Sequence, residues 1–472
     1  MLFKSLSSTS TINQPKMKQL STLALLFCAF SLFAQMPNTI SRADKLYGLS
    51  KFWQEVNYNF VYLDEVDREE WEAEYKKLLI FVQETADDYE YYRHLIRLCA
   101  MLKDGHTNVY YPEAVQAKLY NTYFGDYRLF MTNINGKAVV TRVNLSKKEE
   151  IPIGTEVVAV NGQPTAEYLE EYVKPYISSS TDHILDDWAV QRMFQAPKGS
   201  SFEITFKLPK GATKTLILTH DETTEKEVYP PFEDWQLLEF KWIDPQIAYV
   251  ALNSFDNPKI DTLFIEKLPE LYKAKKLIVD LRNNGGGNTN IGTEILQYLT
   301  HDTLLYGSRS RSRDHIPTLK AWGQWTEPKD TLDDPWAKKA LLSYQNAYYY
   351  DFPYEPDTAR AEAARIVVPT VLLIGHNTAS AAEDFLIYAD NQEHMIKIGE
   401  PTFGSTGQPM MFELPGGGSA RICTKEDTYP DGRKFVGYGV QPDILVHKTL
   451  SDYQQGKDPV LERAIQFLQK KE

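Results

Sequence analysis

The chain has 472 residues, 64 acidic and 51 basic, for a formal net charge of −13. That balance excludes generic nucleic-acid binding, which needs a positive field facing phosphate. A hydrophobic content of 43%, with 29 Tyr and 22 Phe, supplies the material for a packed core and excludes a disordered chain. The length suits about two to four domains.

Residues 1–35 read as an export leader with an upstream extension over 1–16. Met17-Lys18-Gln19-Leu20 opens a short basic region, Leu23 to Phe33 is apolar, and Ala34 precedes the polar change at Gln35. The apolar run falls short of the roughly 20 residues a bilayer span needs, so a cleaved leader is expected rather than an anchor. The mature chain is then exported, periplasmic or extracellular, with no stable membrane span. Cys28 lacks the small preceding residues of a lipidation site. Cleavage leaves Cys99 and Cys423, expected as two buried free thiols, although an exported protein permits a disulfide. No Cys/His cluster has zinc-ligand spacing and no His-Glu-x-x-His occurs, so no metal and no cofactor are expected.

Residues 36–115 form the first expected domain, a bundle of about three helices. Leu46, Leu49, Phe52 and Trp53 recur at helix spacing, as do Leu78, Leu79 and Val82, then Leu95, Leu98, Ala100 and Leu102. The last helix is expected to stop at Lys103-Asp104-Gly105-His106, with Gly105 as its C-terminal glycine.

Residues 116–222 form a β-rich domain. Lys137 to Val143 and Phe202 to Leu208 alternate as strands do. Between them Ile153-Gly154-Thr155-Glu156-Val157-Val158-Ala159-Val160-Asn161-Gly162 enters after Gly and leaves through Asn-Gly, residues that tolerate positive φ. The decad resembles the corresponding element of PDZ domains, and an ordinary β-hairpin is the alternative.

From 223 to 472 the pattern is α/β. Ile247 to Leu252 and Leu277 to Leu281 are apolar strands, Asp261 to Tyr272 and about Asn290 to Leu299 are helical, and residues 300–365 read as an irregular aromatic and charged insertion. Val367 to Ile374 is another buried strand, followed by a helix from Ala381 to Asp390. Buried strands alternating with helices indicate a parallel sheet covered on both faces.

Two loops leave the carboxyl ends of apolar strands, where open α/β sheets place their ligand crevice. One is Asn284-Gly285-Gly286-Gly287, whose glycines let backbone N–H groups approach a ligand. The other is Thr378-Ala379-Ser380-Ala381-Ala382-Glu383, a Ser among small residues at a strand-to-helix junction. A serine nucleophile needs a base and donors for an oxyanion. Taken singly, the glycines read as a flexible loop, and Ser380 with Glu383 as a helix capping box.

Ile278 to Gly287 and Thr378 to Glu383 are followed in order by Gly399-Glu400-Pro401-Thr402-Phe403-Gly404 and Gly437-Tyr438-Gly439-Val440-Gln441-Pro442-Asp443. Together these segments resemble the S41 family of serine peptidases, the C-terminal processing and tail-specific proteases with the tricorn core peptidases. The resemblance implies a multidomain α/β chain: helical bundle, PDZ-like domain and Clp-protease-like (crotonase-like) α/β catalytic core. It puts the nucleophile at Ser380 and oxyanion donors at Gly286 or Gly287 and at Ala381. It also implies a peptide or protein substrate, whose end the PDZ-like domain helps dock.

The processing branch of that family carries its base as a Lys after the Thr-x-Gly segment. Here Ser405 stands there, and a hydroxyl cannot replace an amine as the base. The tricorn-like branch uses a His before the PDZ-like segment, which puts His106 of Asp104-Gly105-His106-Thr107 in the role. His376 and His394 are rivals. Candidates to orient the imidazole, by residue type alone, are Asp104, Ser405, Glu426 and Asp431. The expected function is peptide-bond hydrolysis through an acyl-enzyme. The alternative is a weakly active or inactive ligand-binding protein on the same fold.

Overall fold

The computed structural model describes residues 36–361 and 363–470. The export leader lies outside these residues. Three helices open the described chain, α1 (Arg42–Asn59), α2 (Arg68–Phe81) and α3 (Asp88–Ala100). Ser41, Asp67 and Asp87 cap them by accepting backbone N–H groups of the first turn. The predicted glycine stop is corrected: α3 ends before Gly105, and Lys103 carries the positive φ of 51°. A short strand, β1 (Asn108–Tyr110), follows.

The β-rich module comprises β2 (Tyr127–Ile134), β3 (Lys137–Asn144), β4 (Thr155–Val160), helix α4 (Asp182–Gln191), β5 (Ser201–Lys207) and β6 (Thr213–Thr219). Its strands run antiparallel in the order β6-β5-β4-β3-β2. The Asn161-Gly162 turn closes β4 with positive φ at both residues, as its composition predicts.

The third part is built on a six-stranded sheet. Its elements are β7 (Leu238–Trp242), β8 (Ile247–Leu252), α5 (Lys259–Leu271), β9 (Lys276–Asp280), α6 (Thr289–Leu296), β10 (Thr370–Ile374), α7 (Ala381–Tyr388) and β11 (Met395–Gly399). A hairpin, β12 (Pro409–Leu414) and β13 (Gly418–Cys423), precedes the edge strand β14 (Ile444–Leu445) and the last helix α8 (Pro459–Lys470). The strand order is β7-β8-β9-β10-β11-β14, parallel throughout except for β7. Strand residues alternate between two cores. Val250, Val279 and Leu372 pack with Phe264 of α5 and Phe385 of α7, while Ala251, Ile278 and Leu373 pack with Ala464 and Leu468 of α8. This is the doubly covered parallel sheet expected from the apolar runs.

Two features go beyond the sequence reading. The 300–365 insertion is not irregular. It contains helices Pro317–Gly323 and Pro335–Tyr344, and its strand Arg309–Arg313 pairs with Tyr349–Asp351 and Glu426–Thr428. The helical bundle also does not close its core alone. Leu414, Ala420, Ile422 and Cys423 of the β12–β13 hairpin complete it, and β1 pairs antiparallel with β13, Val109 opposite Ala420. Cys99 and Cys423 are buried free thiols. No described helix is long and apolar enough to cross a membrane.

Candidate active site

Strand β10 ends at Ile374, and residues 375–379 carry the backbone to Ser380 at the start of α7. Ser380 has φ 55° and ψ −121°, a left-handed conformation costly for any residue with a Cβ. A sharp strand-to-helix turn of this kind holds a serine hydroxyl out of the backbone at the carboxyl end of a sheet. The strain is held by surrounding bonds. Thr378 Oγ1 donates to Leu281 O, Ala379 N–H donates to Asn284 O, and Ser380 N–H donates to Glu383 Oε2 at 3.1 Å. The capping-box reading of Ser380 and Glu383 holds beside the strained turn: the Glu383 carboxylate closes it on the Ser380 N–H.

The glycine loop lies against the same turn. A Cβ on Gly286 would sit 2.7 Å from Ser380 Cβ and 2.9 Å from Ala381 N. Gly286 N–H donates to Asn284 Oδ1 at 2.9 Å, so the loop's own asparagine engages it. Gly287 N–H and Ala381 N–H have no acceptor among the described residues. The Ala381 group stands at a helix N-terminus, where the aligned peptide dipoles favour negative charge.

His106 reaches this end of the sheet because β1, which follows it, is registered on β13. Its Nδ1 is 2.7 Å from Ser405 Oγ, and Ser405 Oγ lies 3.1 Å from Asp104 Oδ1. The Asp104 carboxylate, 1% exposed, also accepts from Thr107 Oγ1 at 2.6 Å and Ser180 Oγ at 3.2 Å. Ser405 Oγ donates its single proton to Asp104 Oδ1. Ser405 must then accept from Nδ1–H, which leaves Nε2 with a free lone pair. Burial lowers the His106 pKa below its ordinary value, against the raising effect of Asp104, so the ring is neutral at neutral pH. Gly105 is required by close approach: a Cβ would meet the Phe403 ring at 2.6 Å and Ser405 Cβ at 3.2 Å.

Glu383 joins the two halves. Its Oε2 accepts from Ser380 N–H and from Ser405 N–H at 3.3 Å, while Oε1 accepts from Gly404 N–H at 2.8 Å and from Thr402 Oγ1. Burial lifts its carboxyl to about 8 even with these four donors. Thr402 also accepts from Val440 N–H at 2.7 Å, and Gly437 N–H donates to Gly404 O. Segments 378–383, 399–404 and 437–443 thus meet at one carboxylate. No hydrogen bond joins Ser380 Oγ to His106 among the described residues.

The other candidates are engaged elsewhere. Glu426 pairs with Arg311 at 2.6 Å, and Asp431 pairs with Arg433 at 2.7 Å on the surface. His376 Nδ1 is 2.6 Å from Asp187 Oδ2, and His394 Nε2 bonds Leu299 O. Ser180 was not legible, being one of three consecutive serines in a loop of the β-rich module. Asn284, which uses up the Gly286 donor, was in view only as a neighbour of the glycines. Among the described residues no group of three or more His, Cys, Asp or Glu could hold a metal ion.

A model of Peptidase family S41 matches residues 246–446, which run from the start of β8 past β14 and include Ser380, Glu383 and Ser405. A carboxyl-terminal-processing protease of Picosynechococcus is 24% identical over 440 residues, 91% of this chain and 90% of its own length. The chloroplastic carboxyl-terminal-processing peptidase 2 of Arabidopsis thaliana is 23% identical over 60% of this chain and 48% of its own. Among solved structures, mature CPAF superposes with a TM-score of 0.65 at 13% identity, covering 91% of this chain and 96% of the other, which shows a shared fold. With the serine turn, the glycine loop and the flanking motifs gathered at one end of the sheet, residues 246–446 match peptidase family S41 and the chain is a serine-type peptidase.

Proposed function

We propose that Ser380 is the nucleophile and His106 the general base of an acyl-enzyme mechanism. Ser380 Oγ attacks the peptide carbonyl carbon as its proton passes to His106 Nε2. The carbonyl oxygen takes the negative charge and is held by the Ala381 and Gly287 N–H groups. Electrostatic stabilisation of this kind is worth about 3–4 kcal/mol per donor in comparable sites. The C–N bond then breaks, the leaving amine takes the proton from His106, and an ester remains on Ser380. Water attacks the ester as His106 removes its proton, and the acid product leaves as Ser380 regains its hydrogen. Asp104 and Ser405 keep the imidazole in the tautomer that can accept at Nε2. Catalytic hydrogen bonds often tighten only in the substrate complex, and the Ser380–His106 bond is assigned to that state.

The observation that carries this reading is the strained Ser380 turn with the unengaged Ala381 N–H beside it and the glycine loop packed against it, with a neutral imidazole relayed to Asp104 through Ser405. The naming of the relatives as carboxyl-terminal-processing enzymes supports a substrate cleaved near its C-terminus. The leader-like residues 17–35 support action after export. A fluorophosphonate probe tests the mechanism: the wild type labels, Ser380→Ala does not, and His106→Ala labels at a strongly reduced rate. Equal labelling of wild type and Ser380→Ala overturns the assignment.

A further inference from the structure

The backbone leading into His106 is gripped at three points. Gly105 N–H donates to Ser180 Oγ at 2.9 Å, and Gly105 O accepts from Asn108 Nδ2 at 2.8 Å and from Arg421 Nη2 at 3.3 Å. Asn108 opens β1, and Arg421 lies directly opposite it on β13. The Gly105 carbonyl belongs to the planar peptide that ends at the His106 Cα. Two donors on that one oxygen fix the plane, and with it the direction in which the imidazole leaves the backbone.

A neutral donor would serve to fill the second lone pair of a carbonyl. Here the second donor is a cation without a counter-charge. Arg421 is half-buried, its Nε is buried with no acceptor, and no carboxylate pairs with it among the described residues. Its other neighbour is the Tyr110 ring, whose centre lies 5.8 Å from Cζ. Leaving a guanidinium unpaired and partly out of water is unfavourable, so the sequence bears a cost at this position that an uncharged residue would avoid.

The charge has an object in the imidazole. Four charged side chains act on the His106 ring: Asp104 from its own loop, Arg421 from β13, and Lys425 and Asp427 from the segment after β13. Burial, the largest influence, disfavours the imidazolium. Asp104 and Asp427 favour it, while Arg421 and Lys425 oppose it. Lys425 Nζ is paired with Asp427 Oδ2 at 3.0 Å, so those two largely offset each other. Arg421 is then the cation left to offset Asp104.

We propose that Arg421 is a positioning residue for His106: it fixes the peptide plane from which the imidazole projects and sets an unpaired positive charge against the carboxylate of Asp104. The ring is thereby kept aligned by the Asp104–Ser405 relay and uncharged at rest, ready to accept a proton. The inference rests on the reading of His106 as the base and adds the group that governs its resting state.

The test reads the ring itself. In the full chain carrying Ser380→Ala and 13C-labelled histidine, NMR follows the His106 ring signal against pH, assigned as the one missing in His106→Ala. Arg421→Gln and Arg421→Met both remove the charge, so failure of one to fold leaves the other. Either is expected to raise the titration midpoint by about half a pH unit or more, the effect of losing one nearby like charge. Arg421→Lys keeps the charge and leaves the midpoint in place. Asn108→Ala, which removes only the neutral donor to Gly105 O, also leaves it in place. With Ser380 present, the acid limb of fluorophosphonate labelling should move upward in Arg421→Gln and not in Arg421→Lys. An unmoved midpoint in the neutral variants overturns the proposal, as does an equal rise in Arg421→Lys. The base assignment fails separately: if His106→Ala labels at the wild-type rate, His106 is not the base, while the midpoints still decide whether Arg421 governs its charge.

Discussion

Ser405 has a single proton, and where that proton points decides what His106 can do. Asp104 can only accept it, so the imidazole presents Nδ1–H to Ser405 and a lone pair at Nε2. In the proposed mechanism, the hydroxyl that cannot serve as a base orients the imidazole that does. Ser405→Ala breaks the relay without touching Ser380. Loss of the correct tautomer in a comparable serine-peptidase relay costs about 10⁴ in kcat, and here a fall of about 10²-fold or more in kcat is expected with KM little changed. A parallel rise in KM, or an unchanged kcat, would assign Ser405 to packing alone. The pH profile reports on the same imidazole. His106 must be neutral to accept a proton, and burial disfavours its charged form. The acid limb of kcat/KM is therefore expected below the ordinary histidine value of about 6.5. A limb above that value would point to another base.

At the scale of elements, the site depends on a pairing of residues more than 300 positions apart. Strand β1 holds His106 in place because Asn108, Val109 and Tyr110 lie opposite Arg421, Ala420 and Ser419 of β13. Ile422, fully buried, completes the bundle's core from the same strand. Ile422→Ala removes a large side chain from that core, at an expected cost of about 2–5 kcal/mol. Urea unfolding measures the loss, and specific activity of the folded fraction should fall with it, because the strand that positions His106 loses its backing. Full specific activity at reduced stability would show that β13 supports the fold but not the site. This pairing also marks how far the sequence could be read. The central strands, the serine turn and the glycine loop were legible because each is local: an apolar run, then small residues at its carboxyl end. Ser180, and the choice of Ser405 and Asp104 over Glu426 and Asp431, were not legible. They follow from long-range register, which leaves no periodic mark on a short strand such as 108–110. The helices of the 300–365 insertion were missed for a different reason: their short, aromatic-rich segments carry little amphipathic repeat.

Across the whole molecule, the β-rich module touches the loops around Ser380 through the helix α4. His376, four residues before Ser380, sets Nδ1 2.6 Å from Asp187 Oδ2, and Asp187 Oδ1 also accepts from Asn133 Nδ2 at 2.9 Å. Beside it His183 Nε2 donates to Thr402 O at 2.8 Å, with the two imidazole rings 4.6 Å apart. Burial works against a charged His376, but the hydrogen bond and charge of Asp187 outweigh it and raise its pKa, whereas burial lowers that of His183. One ring is thus favoured as a cation against Asp187 and its neighbour as a neutral donor, which avoids repulsion between them. Linkage gives the contact a definite pH dependence. A histidine whose pKa is raised by folding contributes its full stabilisation below the unfolded value of about 6.5, and loses it as pH climbs through the raised folded value. Docking of α4 on the loop before the nucleophile should therefore loosen from weakly acidic to weakly alkaline pH. Hydrogen exchange over residues 182–191, corrected for intrinsic rates, is expected to be faster at about pH 8 than at about pH 6. In Asp187→Asn, which removes the charge that raises His376, that difference should vanish and exchange should be fast at both values. An undiminished pH difference in the variant would mean that another group controls the docking. Because His376 and Thr402 flank the Ser380 turn and the Glu383 carboxylate, loosening at α4 would reach the proposed nucleophile through the backbone on either side of it.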